Sequence, residues 1–456
     1  MKKLSVFLLA AMLLNIALPQ DRSDLDEFIL EQMEIFHVPG LSAVIVKDDS
    51  VFWHNSYGYM NLEDSLPVHD STLFNVFSIG KTITTSCVMQ LWDEQFLGLE
   101  QNLNDIISFQ VTNPYNDIDS ITPRMLMTHT SSIRDWMIEN YIVLGDPTES
   151  LASFLENYLC PGGTHYVINN YYNLTPGTTY HYSNVGIALL GFLAEPLTGI
   201  TFNQYARDSM LSPLEMDNSA WFLDELNLDN LAIGYTYSGG AFSPNFHIGT
   251  AGYPGVSFRT TALELANFNI MLLNGGWFNG LNILSSDAID SMSTVQNPGW
   301  SSSYGLTGLG MFQRTDLGSR TVWGHNGGST LGYAAQFYFC KEESSGVVIL
   351  SNSEQYVDPI VEYLFNYVLA TKIDDDHDPA VIGLRIYPNP ARDVIHLMID
   401  GEHILKETMM YNQSGQIVLH LNGKMNEIDV STLPSGIYIL EAKLEEGVAR
   451  KKFVKR

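Results

Sequence analysis

Ser78-Ile79-Gly80-Lys81 puts a hydroxyl and an amine at positions i and i+3, and on a helix that spacing stacks the two side chains on one face about one turn apart. A lysine held there without its proton can take the serine's, leaving an oxygen nucleophile that attacks a carbonyl. The stretch is the chain's only Ser-x-x-Lys. A serine N-cap beside a solvated lysine fits the same four residues. Context favours the chemical reading, because Ile83, Cys87 and Leu91 follow at i, i+4 and i+8. That period predicts a buried helix beginning near Ser78, with the lysine on an apolar element.

Acyl transfer also needs a group that passes protons to the leaving atom and one that holds the substrate. Tyr182-Ser183-Asn184 offers a phenol and a carboxamide two residues apart, on one side of an extended loop. Tyr59-Met60-Asn61 and Tyr171-Tyr172-Asn173 have the same form. Tyr182 is favoured by the turn at Pro176-Gly177 before it and by the apolar run 185–194 after it, which reads as a buried helix able to fix the loop. A third element, Gly324-His325-Asn326-Gly327-Gly328, is expected between two strands, where glycines let a ligand's backbone approach a sheet edge. The N–H of Gly328, with that of Ser78, could hold an oxyanion. His247-Ile248-Gly249 also reads His-x-Gly, without flanking strands in the pattern. His129, in Met127-Thr128-His129-Thr130-Ser131, invites a metal or triad reading, but the chain has neither a His-Glu-x-x-His nor a Gly-x-Ser-x-Gly stretch. It is expected in a supporting loop.

These side chains need a sheet edge and a buried helix to hold them. Residues 41–60 form two β-rich runs separated by Lys47-Asp48-Asp49-Ser50, a hairpin pattern. Strand patterns return at 320–323, 334–340 and 346–350, followed by a helical pattern at 357–369. A sheet built from both chain ends, with a helical insertion between them, accounts for this order. A charged, Pro-containing segment at 372–379 reads as a linker. Beyond it, short β runs at 394–399, 407–411, 417–421, 436–442 and 451–454 predict a small antiparallel β-sandwich.

Composition bounds the partners. The 456 residues carry 23 Lys+Arg against 51 Asp+Glu, a net charge of −28. That leaves no electrostatic footprint for nucleic acid and would repel anionic membrane surfaces. A hydrophobic content of 45% marks a globular chain, and its length exceeds what one core usually supports. Residues 382–456 hold 10 of the 23 basic and 9 of the 51 acidic side chains, so the tail is near neutral and nearly all the negative charge lies before it. Cys87, Cys160 and Cys340 allow at most one disulfide and have no metal-binding spacing. Met1-Lys2-Lys3 and the apolar run 4–18 match a cleaved signal peptide over residues 1–20. The run is too short for a spanning helix, so no stable membrane span is expected.

Taken in order, Ser78-x-x-Lys81, Tyr182-x-Asn184 and His325-x-Gly327 resemble the penicillin-recognising serine hydrolases. That group contains class C β-lactamases, D-alanyl-D-alanine carboxypeptidases and related esterases. The likeness extends through FNVFSIGKT (74–82), LMTHTS (126–131), PGTTYHYSNVGIALL (176–190), PLEM (213–216) and GHNGGSTLGY (324–333). It implies an α/β fold, an antiparallel sheet flanked by helices with a helical subdomain, over residues 23–371. It implies Ser78 as the acylated nucleophile, Lys81 as its proton partner and Tyr182 as the proton relay. Asn184, His325, Asn326 and Gly327 would bind substrate, with the Ser78 and Gly328 N–H groups as the oxyanion hole and no metal or cofactor. The β-lactamases of this group have Lys-Thr-Gly where this chain has His325-Asn326-Gly327, which exchanges a fixed charge for an imidazole largely neutral at pH 7.

Residues 382–456, joined to the body by a linker at 372–381, resemble the C-terminal sorting domain of type IX secretion substrates. The likeness is carried by Tyr387-Pro388-Asn389-Pro390, Leu433-Pro434-Ser435-Gly436-Ile437-Tyr438 and the basic end Lys451-Lys452-Phe453-Val454-Lys455-Arg456. The resemblance implies a secreted or surface protein exported through the periplasm, with the secretion machinery as a partner of the tail. The expected function is hydrolysis of an ester or amide, including D-amino-acid peptides, through an acyl-enzyme. A penicillin-binding protein that acylates and barely turns over, and a surface adhesion protein with a vestigial site, are the alternatives.

Overall fold

The computed structural model describes residues 22–116, 120–302, 305–318, 320–376, 384–387, 391–399, 405–412, 417–423, 427–434, 436–444 and 448–455. The signal-peptide reading of residues 1–20 lies outside them. The chain divides into a body, Asp21–Val368, and a unit that contains the tail from Leu369.

The body is built on a nine-stranded antiparallel sheet. Its early strands are β1 (Gly40–Lys47), β2 (Ser50–Asn61) and β3 (Leu66–Pro67). Its late strands are β4 (Ser301–Ser302), β5 (Gly305–Thr307), β6 (Phe312–Leu317), β7 (Arg320–Ser329), β8 (Tyr333–Cys340) and β9 (Ser345–Ser351). The order across the sheet is β4-β5-β6-β7-β8-β9-β1-β2-β3, so β1 lies between β9 and its hairpin partner β2. The two ends of the chain thus close one sheet, as the sequence pattern predicts.

Strand alternation divides the core in two. From β1, Leu41, Ala43 and Ile45 face a layer formed by α1 (Arg22–Ile35) and the helix Asp358–Asp376, where Leu25, Ile29, Ile360, Val361 and Leu364 are buried. Val44 and Val46 face the opposite way, toward a larger core shared by α2 (Gly80–Asp93), α3 (Asn184–Phe192) and α4 (Ala262–Leu273). Two short strands outside the main sheet, Ile142–Leu144 and Ile248–Thr250, pair as an antiparallel ribbon. This ribbon includes Ile248-Gly249, for which the sequence pattern gives no strand, because the three-residue run is too short to register as a period.

The sequence reading needs two further corrections. Lys372–Asp376, read as the start of a linker, continues the helix Asp358–Asp376; the rest of that linker lies outside the described residues. Gly324–Gly328, expected between two strands, lies inside β7, whose ladder with β8 runs unbroken from Trp323 to Ser329. Glycine carries little strand propensity, so neighbouring backbone groups and not local preference set this strand's length.

The tail forms two antiparallel sheets. One has three strands, Leu384–Tyr387, Val394–Ile399 and Glu427–Asp429, and the other four, Leu405–Asn412, Ile417–Asn422, Gly436–Leu444 and Val448–Lys455. Both sheets contribute to one apolar core that contains Ile395, Leu397, Met410, Ile428, Leu440 and Phe453. All three cysteines are unpaired thiols.

Candidate active site

Ser78 sits in a single 3-10 turn, Phe77–Ile79, that runs directly into α2. Phe77 adopts φ +44°, in the left-handed region that is costly for a bulky residue. The strain is held by a hydrogen bond from the Phe77 N–H to Asn75 Oδ1 (3.0 Å) and by burial of Phe77. It turns Ser78 so that its side chain is half exposed at the helix start, not used as a cap.

One turn on, Lys81 is fully buried, and its Nζ lies 2.9 Å from Ser78 Oγ and 2.5 Å from the Gly255 carbonyl oxygen. Burial lowers the Lys81 pKa from its ordinary value to about 7, partly opposed by the negative charge of Asp135. A large share of the amines is therefore neutral at neutral pH. A neutral amine there can donate to Gly255 and accept the Ser78 hydroxyl proton, the arrangement that nucleophilic catalysis by a serine requires.

Tyr182 joins them, with Lys81 Nζ 4.9 Å from the centre of its ring. Its ring lies 4.3 Å from that of His129 and 6.2 Å from that of His325, and Phe312 packs edge-on against His325 at 5.0 Å. Tyr171, the rival candidate, is buried elsewhere and donates its hydroxyl to the Leu159 carbonyl (2.9 Å). Tyr59 is 45% exposed on β2.

The segment that carries Tyr182 is fixed from two sides. The His129 carbonyl accepts the His181 N–H at 2.7 Å, and His129 Nδ1 accepts the Ser183 N–H at 3.2 Å. An accepting Nδ1 belongs to an imidazole whose proton is on Nε2. Burial, reinforced by Lys81 and His325, holds the His129 pKa well below its ordinary value. From the other side Asp135 accepts four bonds: from Ser183 Oγ (3.0 Å), Asn184 N (2.7 Å), Asn184 Nδ2 (2.8 Å) and Val185 N (3.0 Å). Ser183 in turn caps α3 by accepting the Gly186 N–H at 2.9 Å.

Neither Asp135 nor Gly255 carries a signal in the sequence. Asp135 precedes the residues it binds by 48 to 50 positions, and Gly255 acts through its carbonyl, which every residue has. His129 is marked only as a loop residue, and its two bonds to the Tyr182 segment form across 52 and 54 positions.

Strand β7 forms the opposite wall. A Cβ on Gly327 would lie 1.8 Å from the Val76 carbonyl oxygen and 3.2 Å from the Ile79 nitrogen, so this position must be glycine for the strand to reach the Ser78 turn. His325 is buried, and its Nδ1–H donates to the Asn326 carbonyl (2.5 Å), which leaves Nε2 as an acceptor. Burial, then the nearby Lys81, pushes its pKa down to about 3, so it is neutral through the physiological range. Asn326, expected to bind substrate, does not reach the cleft with its side chain. Strand alternation turns it to the other face, where Asn326 Oδ1 accepts from the Tyr338 hydroxyl beside Arg314.

The sequence and the fold match known proteins. The Beta-lactamase family profile matches residues 25–366, and a Secretion system C-terminal sorting domain profile matches residues 385–456. Protein flp of Staphylococcus aureus (strain NCTC 8325 / PS 47) is 24% identical over 363 residues, which cover 77% of this chain and 67% of that protein. Beta-lactamase-like protein 2 of Dictyostelium discoideum is 27% identical over 272 residues, 55% of this chain and 45% of that protein. Among solved structures, the octameric penicillin-binding protein homologue from Pyrococcus abyssi aligns with a TM-score of 0.60 at 21% identity, covering 95% of this chain and all of that one. A class C beta-lactamase aligns with a TM-score of 0.60 at 19% identity, over 77% and 96% of the two chains. The fold is thus that of penicillin-binding proteins and class C β-lactamases. The chain belongs to the beta-lactamase family of serine hydrolases and carries a secretion sorting domain at its C-terminus.

Proposed function

We propose that this chain is an exported serine hydrolase that cleaves an uncharged ester or amide through an acyl-enzyme on Ser78. The observation that supports it most directly is the Lys81 amine 2.9 Å from Ser78 Oγ, buried so that its pKa falls to about 7. As Ser78 Oγ bonds to the substrate carbonyl carbon, its proton passes to Lys81 Nζ. The oxyanion formed is held by the N–H groups of Ser78 and Gly328. When the carbonyl reforms, the bond to the leaving oxygen or nitrogen breaks, and the proton passes by way of Tyr182 to that atom. A water molecule then gives up a proton along the same path as it attacks the acyl carbon, the bond from that carbon to Ser78 Oγ breaks, Oγ takes up the proton, and the acid product leaves. Asn184, held by Asp135, is the group that accepts or donates to the substrate's amide.

Charge argues for neutral substrates. Where penicillin-hydrolysing relatives carry a lysine, His325 is neutral, and it lies close enough to Lys81 and His129 for the three to influence one another's charge. A carboxylate bound there gains no fixed positive partner. The tail is read by the export machinery, with residues 1–20 as the signal that first carries the chain into the periplasm, and takes no part in acyl transfer.

The test is intact-mass analysis of the protein after exposure to p-nitrophenyl acetate, a D-alanyl-D-alanine peptide and benzylpenicillin, with p-nitrophenol release followed in parallel. A transient adduct with steady release of product is expected for the ester, and none of either in Ser78→Ala. A stable adduct without release would make the protein an acylating binder. No adduct with any of the three would sink the acyl-enzyme reading and favour a vestigial site.

A further inference from the structure

A cavity of about 170 Å³ lies beside the Ser78 turn, walled by Phe77 on one side and by Ile138, Ile142, Phe154, Ile248 and Val256 on the others. Asn184 and Gly328, from the two sides of the cleft, also line it. Lys81, Tyr182 and His325 do not. Ser78 is not in the lining either, so the cavity meets the cleft at Asn184 and Gly328, the groups assigned to holding the substrate, and not at Tyr182, the group assigned to passing the proton to the leaving atom. A space reached through the substrate-holding groups and not through the proton donor suits the part of the substrate that stays bonded to Ser78.

The chemistry of the walls narrows what that part can be. Every polar side chain in the lining is neutral. The nearby Arg259 is buried, and its two terminal nitrogens donate to the carbonyl oxygens of Ile248, Trp221 (2.6 Å) and Ser257 (2.9 Å). It braces the wall from behind and does not enter the cavity. Ile142 is both in the wall and 42% exposed, so the cavity opens beside the ribbon of Ile142–Leu144 and Ile248–Thr250. That approach is apolar too, with Leu144 72% and nearby Phe246 76% exposed. Apolar cavities of about 150 Å³ admit a benzene ring and stay dry otherwise, so this one suits roughly six carbons.

We propose that this cavity is an acyl-group pocket that selects an uncharged apolar acyl group of about six carbons, hexanoyl or phenylacetyl in size. The inference rests on the acyl-enzyme reading above. Burying each methylene favours the longer substrate by about threefold or more in kcat/KM until the space is filled. A charged end of the same length would enter a space with no partner for it.

The experiment is a kcat/KM series on the full chain with p-nitrophenyl esters of acetic, butyric, hexanoic, octanoic, phenylacetic and adipic acids. The expected profile rises from acetyl to hexanoyl, levels at octanoyl, is high for phenylacetyl and falls for the adipoyl monoester, whose free carboxylate lies where hexanoyl ends. Val256→Phe, which fills the cavity, should lower the hexanoyl-to-acetyl ratio about tenfold or more. Ile248→Ala should move the plateau to longer chains. Ser78-dependent turnover that is equal from acetyl to octanoyl, or adipoyl processed as well as hexanoyl, overturns the pocket while leaving the acyl-enzyme reading intact. No turnover and no Ser78 adduct with any ester overturns both.

Discussion

Lys81 shows what burying an amine costs. Its folded pKa of about 7 against an ordinary 10.5 means that between these values the unfolded chain binds more protons than the folded one. Stability from this group therefore rises with pH across that window, and the full displacement is worth at most about 5 kcal/mol. Lys81→Met should accordingly abolish turnover while raising thermal stability at pH 7 by about 1 kcal/mol or more, read by calorimetry. The same displacement sets the pH profile: kcat/KM should fall below neutrality with an apparent pKa near 7, as the amine gains the proton it must lack. Asp135 opposes the displacement, so Asp135→Asn should shift that acid limb to lower pH, in addition to lowering kcat through a looser Asn184. A loss of activity with the limb unmoved would mean that Asp135 acts through geometry alone. Tyr182→Phe should slow turnover of esters by roughly 10²-fold or more, if the phenol transfers protons as its place beside Lys81 implies.

At the scale of elements, the site is the meeting of a strained turn, a capped helix and a strand edge. The first two were legible: Ser78, Lys81 and the apolar residues of α2 lie within one continuous pattern, and the helix that follows Tyr182 is almost wholly hydrophobic. Strand β7 was legible only at 320–323, because His325-Asn326-Gly327-Gly328 has no strand propensity, and the β8 backbone opposite it supplies the order instead. That pairing also decides which side chains face the cleft, and it removes Asn326 from the candidates. Gly327→Ala should be a severe substitution. Its Cβ would overlap the Val76 carbonyl oxygen, so the strand must move from the Ser78 turn. The expected result is a loss of about 1–3 kcal/mol in denaturant unfolding together with a large fall in kcat. Unchanged kcat in the alanine variant would mean that close approach of β7 is not required for the chemistry.

At the scale of the whole molecule, body and tail have different compositions and separate cores. Because Ile360, Val361, Leu364, Phe365 and Val368 are buried in the body, the helix that bears them must be kept in any truncation. A chain ending after Asp376 should retain full turnover of soluble esters, and in a host with type IX machinery it should stay in the periplasm while the full-length protein reaches the surface or medium. Cell fractionation with an activity assay on each fraction reads both results. Normal export of the shortened chain would refute the sorting role, and lost hydrolysis would show that the tail shapes the site.

Much of this protein was determined by local sequence. Ser78 and Lys81 are three residues apart, so one helical turn brings them together whatever surrounds them. The sheet's outline followed from alternation, and the tail from its short β runs and shift in charge. Tertiary structure decided what depends on residues far apart in the chain. Lys81 loses its proton readily only because residues from the rest of the body bury it. Asp135, His129 and the Gly255 carbonyl become parts of the site across separations of 48 to 174 positions. The cavity beside the Ser78 turn is assembled from six separate stretches, and those that supply Ile138 and Ile142, Phe154, and Ile248 to Ser257 carry no motif. Short-range patterns encode which groups are present, and burial and long-range pairing set their charge, direction and company.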